Sequence, residues 1–437
     1  MKYMKKMFVA LMALALAFSM CACEEIDKLK AVELPALPDV NAEATAEPTP
    51  EATAEAAPAA AATEPLSNQV IINIKNTAKQ EFDPQSGQEL ILTFAYETPS
   101  VYIDGRDDAA AKINEYVGLL DETYYTGNDY GLGTAMGYNM MLELAQDNYS
   151  YAVSTGNDGL SLEYAASRTV DVGRADSAVV SLVYDDYLYT GGAHGSYNDT
   201  AYVFDAETGE ELSLDKLSTD YDAFAAFVTK FMVDKAESDS SYSDRIDPSI
   251  LPAEQYSAAF GALLREGSWY LGSDGLVFFS QLEEFGPYAA GIVEFTIPYA
   301  ELKGVIGDRW LPAERAGNGE FSIKALSEVK DGTQPIIDKV TADASGTELC
   351  LIASGTVYDV TVSRVDYADR FYETAQLWHC SYISDSAIQL QTVIPEGMPN
   401  IMLSYATAGG ETHRLLISQS GKDGSLLLVD ESIEAVG

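Results

Sequence analysis

The sequence predicts an α+β protein: an antiparallel sheet with packed helices spread over two domains, 68–200 and 201–315, followed by a small all-β, sandwich-like domain over 316–437. Three observations carry this expectation. Ser177 to Leu214 reads as a hairpin, because Val180, Leu182 and Tyr184 alternate with other residues up to a glycine-broken corner, Thr190-Gly191-Gly192-Ala193-His194-Gly195, and Ala201-Tyr202-Val203-Phe204 then restarts the strand. Two stretches space their apolar residues at helical period: Ile113, Tyr116, Val117 and Leu120 in one, Phe224, Phe227, Val228, Phe231 and Met232 in the other. Past Arg315 the chain turns into short alternating runs with turns between them and little helical pattern.

In chain order, residues 1–22 read as an export signal. Lys2, Lys5 and Lys6 precede an apolar run, Phe8 to Phe18, too short to span a bilayer comfortably. Met20-Cys21-Ala22-Cys23 then resembles a bacterial lipoprotein signal, with Cys23 as the residue that is lipidated and becomes the mature N-terminus. Residues 23–67 are rich in Ala, Glu, Pro and Thr, repeat Glu-Ala-Thr-Ala-Glu, and hold no aromatic residue. Such a segment cannot build a core and stays extended; at about 3 Å per residue it reaches on the order of 100 Å. A lipid anchor and a tether on the outer face of the cytoplasmic membrane are the joint expectation.

The globular part opens with strands Val70 to Lys75 and Leu90 to Tyr96, and Pro99 is expected to end the second. Asp107-Asp108 starts a helix, and a second helix is expected from Ala135 to about Ser150. A strand over Leu162 to Val172 leads into the hairpin, which is read as the middle of the sheet. Gly209 in Asp-x-x-Thr-Gly turns the chain toward a third strand, Glu211 to Leu214. A helix follows over Tyr221 to Ala236, with Asp222 in its first turn and Lys235 in its last. Ser268 to Phe279 reads as two strands around Gly272 to Gly275, and Gly291 to Pro298 as one more. Ala316-Gly317-Asn318-Gly319 reads as a joint, and the β-rich remainder has runs at Glu348 to Ser354, Val357 to Val365, Ala387 to Ile394, Ile401 to Tyr405, Arg414 to Ser418 and Leu426 to Val429.

Catalytic patterns are thin. The three histidines, His194, His379 and His413, fall in no paired metal-ligand spacing, and neither a G-x-S-x-G elbow nor a phosphate-binding loop occurs. Among 68 acidic residues any pair could be nominated for glycoside hydrolysis, so composition singles out none. Asp104, Asp107 and Asp108 lack the spacing of a calcium loop and suit a helix N-terminus. The expectation is a chain that is not an enzyme and has no cofactor and no metal. Cys350 and Cys380 are the cysteines that remain after the leader; an exported chain allows a disulfide between them, and two buried thiols fit equally.

Four motifs occur in one order: Tyr189 to Gly195, Phe204-Asp205 with Thr208 to Leu214, Phe285-Gly286-Pro287-Tyr288-Ala289-Ala290-Gly291, and Phe295 to Leu302. Together, over roughly Gln69 to Gly307, they resemble a pair of uncharacterised extracytoplasmic domains. Those domains are found in lysozyme-sensing anti-sigma factors of the RsiV type and in the non-catalytic region of peptidoglycan deacetylases of the PdaC type. Neither a sigma-factor-holding segment before the leader nor a deacetylase domain after the match is expected here, so the resemblance implies a surface-exposed binding or sensing module.

The net charge of −42, made more negative when the three lysines of the leader leave, repels nucleic acid and anionic surfaces and attracts cationic partners. Asp185, Asp186, Tyr187, Tyr189, His194 and Tyr197 flank or form the corner and are the candidate ligand-binding residues for a cationic lysozyme-like protein or peptidoglycan. His194 fits a turn-capping role as well as a ligand-facing one. A carboxylate-based wall hydrolase and a structural surface spacer are the alternative functions.

Overall fold

Ten strands make one sheet, in the order β17 (Leu426–Asp430), β16 (Thr412–Gln419), β15 (Ile401–Ala406), β12 (Thr356–Tyr367), β13 (Phe371–Ser384), β1 (Val70–Phe82), β2 (Leu90–Ile103), β3 (Tyr164–Ala175), β4 (Val179–Tyr189), β5 (Ser196–Asp205). The computed structural model describes residues 68–128, 136–156, 163–330, 334–368, 370–395 and 397–431; the leader, the 23–67 tether and Cys23 lie outside the described residues. One end of the sheet is built from β1, β2, β3, β4 and β5. The other end holds β12, β13, β15, β16 and β17. The two ends meet where Ile71, Ile72 and Asn73 of β1 pair with Cys380, His379 and Trp378 of β13. The fold is α+β as expected, with a large, mainly antiparallel sheet, packed helices and further sheets toward the C-terminus. The division at 200/201 falls inside β5, and no break in the ten-stranded sheet corresponds to 315/316.

β2 and β3 run parallel, Leu92–Tyr96 beside Tyr164–Arg168, which requires a crossover. Two helices supply it, α1 (Asp107–Thr126) and α2 (Gly137–Thr155). α1 buries Ile113, Val117 and Leu120 against Val170, Val172, Leu182, Tyr184 and Phe204, each such side chain contributing about 1.5–3 kcal/mol. Asp107 and Asp108 sit in its first turn, where the helix dipole favours acids. Pro99 does not end β2: it lies opposite Ile74 within the strand. Beyond Tyr96 the β3-facing edge of β2 has been released, and a free edge is where a strand tolerates a residue with no N–H.

The hairpin is not the middle of the sheet but its end, with β5 at the edge. Gly209 adopts φ +72°, as its turn requires. The third strand expected after it reduces to a single bridge between Phe204 and Glu211, and a helical turn, Leu214–Leu217, follows, capped by Ser213. On the opposite face of the hairpin, helix α3 (Tyr221–Ser238), the short α4 (Tyr256–Gly261) and a three-stranded sheet of β6 (Trp269–Leu271), β7 (Gly275–Phe279) and β8 (Glu294–Pro298) enclose a second core. Phe224, Val228, Met232, Phe260, Trp269, Phe278 and Phe295 fill it, with Val179 and Val203 contributed by the hairpin. Arg174 ties β3 to the end of this unit by donating to the Trp310 carbonyl at 2.6 Å and the Tyr299 hydroxyl at 2.9 Å.

A four-stranded sheet, β10 (Ile336–Thr341), β14 (Ala387–Thr392), β11 (Thr347–Ser354) and β9 (Glu320–Ala325), packs over the C-terminal end of the large sheet. Leu349, Leu351, Ile388 and Leu390 meet Val360, Val362, Trp378 and Leu403 between the layers. The expected sandwich is therefore present, but one of its layers is continuous with the sheet of the N-terminal half. Among the described residues no helix is long and apolar enough to cross a membrane.

Candidate functional site

The corner after β4 and the loop after β7, far apart in sequence, come together. Gly191 and Gly192 take φ of +94° and +103°, which turns the chain, and the Tyr189 hydroxyl donates to the Gly192 carbonyl at 3.0 Å. Gly195 is glycine for a different reason: a Cβ there would lie 2.3 Å from the Tyr187 ring. His194 projects outward and its ring lies 4.1 Å, centroid to centroid, from Tyr288 of the Phe285–Gly291 loop. Its Nδ1 is 3.1 Å from the Gly195 carbonyl, so the ring is held at the corner from both sides. Pro287 is preceded by a trans peptide bond.

The edge of β5 next to this junction is sealed by a side chain. Gln281 accepts from the Asp199 N–H at 3.1 Å and donates to the Asp199 carbonyl at 2.8 Å, imitating a strand neighbour. Across the hairpin Tyr187 and Tyr197 pair in register with ring centroids 4.8 Å apart. Burial raises both phenols above their ordinary pKa, assisted by Tyr288 beside them, so they remain neutral hydroxyls. Tyr187, Tyr189, His194 and Tyr288 thus form an aromatic surface patch over the buried Tyr197, with Glu283 exposed at its side.

Asp185 and Asp186 do not share a face. The pleat places Val183 and Tyr187 toward the second core and Tyr184 toward α1, so neighbouring aspartates point to opposite sides. Asp186 is bound by the Arg168 guanidinium through two hydrogen bonds, of 2.6 and 2.7 Å. Arg168 in turn lies over the Tyr124 ring at 4.3 Å and the Tyr184 ring at 5.3 Å, and donates to the Leu120 carbonyl. Asp199, on β5 beyond Tyr197, is 2% exposed. The single acidic face expected around the corner is therefore replaced by an aromatic patch on one side and a neutralised ion pair on the other.

On the side of Asp185 lies an acid that sequence reading passed over. Glu97 is 2% exposed and accepts from the Val170 N–H at 2.9 Å, filling the gap where β2 and β3 part. Burial pushes its pKa up to about 8, and the nearby Asp171 and Asp185 add to the shift while Asn76 opposes it. On the helix side a cleft of about 330 Å³ opens between the α1–α2 pair and the hairpin, lined by Phe94, Tyr124, Met141, Asp186, Ser196 and Asn198 among others.

Cys350 and Cys380 are free buried thiols, not a disulfide. They sit on β11 and β13 in opposite layers of the sandwich, and the Cys380 thiol donates to the Tyr382 carbonyl at 3.1 Å. His379 is buried with its Nδ1 3.3 Å from the Thr361 hydroxyl, and His413 stacks on Tyr405. Among the described residues no three His, Cys, Asp or Glu side chains are grouped to hold a metal ion.

Residues 216–300 match the model of a family described as "Protein of unknown function (DUF3298)". The chain is similar to a solved member of that family from Bacteroides fragilis, at 16% identity and a TM-score of 0.42, over 56% of this chain and 96% of that one. It is also similar to a DUF3298 family protein from Pseudomonas aeruginosa PAO1, at 16% identity and a TM-score of 0.37, over 55% of this chain and 97% of that one. No curated protein matches. The match takes in Phe285–Gly291 and leaves the Tyr189–Gly195 corner outside. The segment 216–300 that matches this family model contributes Tyr288 to the aromatic patch.

Proposed function

We propose that this chain is a lipid-anchored, extracytoplasmic binding module, without catalytic activity, that captures a cationic lysozyme-like protein at the surface of a bacterial cell. The observation that carries the reading is the junction of the two loops. The His194 and Tyr288 rings meet in a tilted contact, and with Tyr187 and Tyr189 they form an aromatic patch over the buried Tyr197 and beside the exposed Glu283. Aromatic faces and carboxylates together attract ammonium and guanidinium groups, and the net charge of −42 steers a basic partner toward them. The likeness of both loops to those of RsiV-type anti-sigma factors and PdaC-type deacetylases points the same way. The leader's resemblance to a lipoprotein signal and the acidic, Pro-rich stretch after it support an extracytoplasmic position for such a module. Retention of the full chain on immobilised basic lysozyme at 50 mM salt, and elution as salt rises, tests the reading; passage through the column at low salt would refute it.

A wall component as ligand is favoured by a separate observation, the cleft on the opposite side of the hairpin, taken up below.

A further inference from the structure

We propose that the cleft between the α1–α2 pair and the hairpin is a second binding site, sharing only Tyr187 with the aromatic patch, for an uncharged amphipathic sugar ring bearing an acetamido group, of the N-acetylhexosamine class. Its volume of about 330 Å³ falls at the small end of the range for small-molecule sites. The floor is apolar and buried: Phe94, Met141 and Ala166 are almost inaccessible and present ring, thioether and methyl surface. The rim is polar. Ser196 and Asn198 are exposed, and Asn198 donates to Thr200 at 3.2 Å, which leaves its side-chain carbonyl for a guest.

Charge decides between guests. Asp186 is the lining carboxylate, and Arg168 cancels it through two hydrogen bonds, so a cation gains little by entering. An anion would face the Asp186 oxygens. Each of those oxygens accepts one bond from Arg168 and keeps capacity for a second donor, which suits the hydroxyl of a neutral guest. The floor also holds an unmet group: the Tyr124 hydroxyl is buried with no hydrogen-bond partner among the described residues. An aliphatic or aromatic protein side chain would cover the floor but leave the polar rim unmatched. A ring with one apolar face, an acetamido methyl and several hydroxyls matches both halves.

The test is calorimetric titration of the full chain with tri-N-acetylchitotriose and, separately, with its fully deacetylated, cationic trimer. Binding of the acetylated trimer is expected to change less than twofold between 50 and 500 mM salt, and the deacetylated trimer is expected to bind at least tenfold more weakly. Asn198→Ala, an exposed substitution that leaves the fold intact, is expected to weaken the acetylated trimer at least fivefold; Ala166→Leu, which fills the floor, is expected to abolish binding. No binding of the acetylated trimer at millimolar concentration would overturn the proposal. So would preference for the cationic trimer, or affinity untouched by both substitutions. Loss of lysozyme retention with trimer binding intact would remove the cationic-partner reading and leave this one standing, and the converse result would do the opposite.

Discussion

Glu97→Gln tests whether the buried acid at the parting of β2 and β3 is held protonated. In the native state its pKa stands at about 8 against 4.5 for an ordinary glutamate. Because the folded pKa is raised, the folded state binds the proton more tightly, and stability falls as pH climbs from 4.5 through 8. A gap of this size corresponds to about 5 kcal/mol once both states are ionised, of which roughly 2–3 kcal/mol is expressed between pH 5 and pH 7. Glutamine keeps a carbonyl oxygen for the Val170 N–H, now 2.9 Å from the glutamate, and has no proton to lose. Urea unfolding of the two proteins at pH 5, 7 and 9, followed by circular dichroism, is expected to show the variant gaining steadily on the wild type as pH rises. Subtraction cancels other groups, among them Asp121, which burial pushes up to about 6. A stability difference that stays constant from pH 5 to pH 9 would refute the buried, protonated state.

Other expectations are more local. Arg168→Met leaves Asp186 without its partner between α1 and β4, and calorimetry should show a loss of about 3–5 kcal/mol, typical of a broken, mostly buried pair. Gly192→Val and Gly195→Val should each lower stability by about 1–3 kcal/mol, the first through strain at φ +103° and the second through collision with the Tyr187 ring; unchanged melting of both would show the corner to be ordinary backbone. Reducing agent should leave the melting temperature unchanged, and Cys380, whose thiol burial pushes up to about 12, should react with thiol reagents only after unfolding. Cys23→Ala should move the protein from the membrane fraction to the soluble fraction, and continued attachment after washing would exclude a lipid anchor at that residue.

Much of the fold is legible in local pattern. The hairpin, the helix from Asp107 and the helix from Tyr221 are recognisable because one face of each is buried and the other is not, which imprints a period of 2 or 3.6 on the chain. What local pattern does not contain is pairing between distant strands. β13, Phe-Tyr-Glu-Thr-Ala-Gln-Leu-Trp-His-Cys-Ser-Tyr-Ile-Ser, is buried on both faces at Trp378 to Ser381 and loses its alternation there, so local pattern shows a strand-like run around Cys380 but not that this strand joins the two halves of the sheet. The corner is identifiable from Gly191, Gly192 and His194, but local pattern does not show that Tyr288, in a loop far along the chain, comes to lie against it. Asp186 carries no mark in sequence of being paired: Arg168 lies 18 residues earlier, and only the β3–β4 register sets the two side by side. Asp185 and Asp186 look like one acidic cluster when written in a line, and the pleat separates them.

The most direct test of the proposed function is calorimetric titration of the full chain, and of a Tyr288→Ala variant, with a basic lysozyme at 50 and 300 mM salt. The expected result is exothermic binding at low salt that weakens at least tenfold at high salt and is reduced at least tenfold by the substitution, since Tyr288 packs against His194 at the junction of the two loops. Absence of heat at 50 mM salt, or equal affinity of the variant and the wild type, would contradict it.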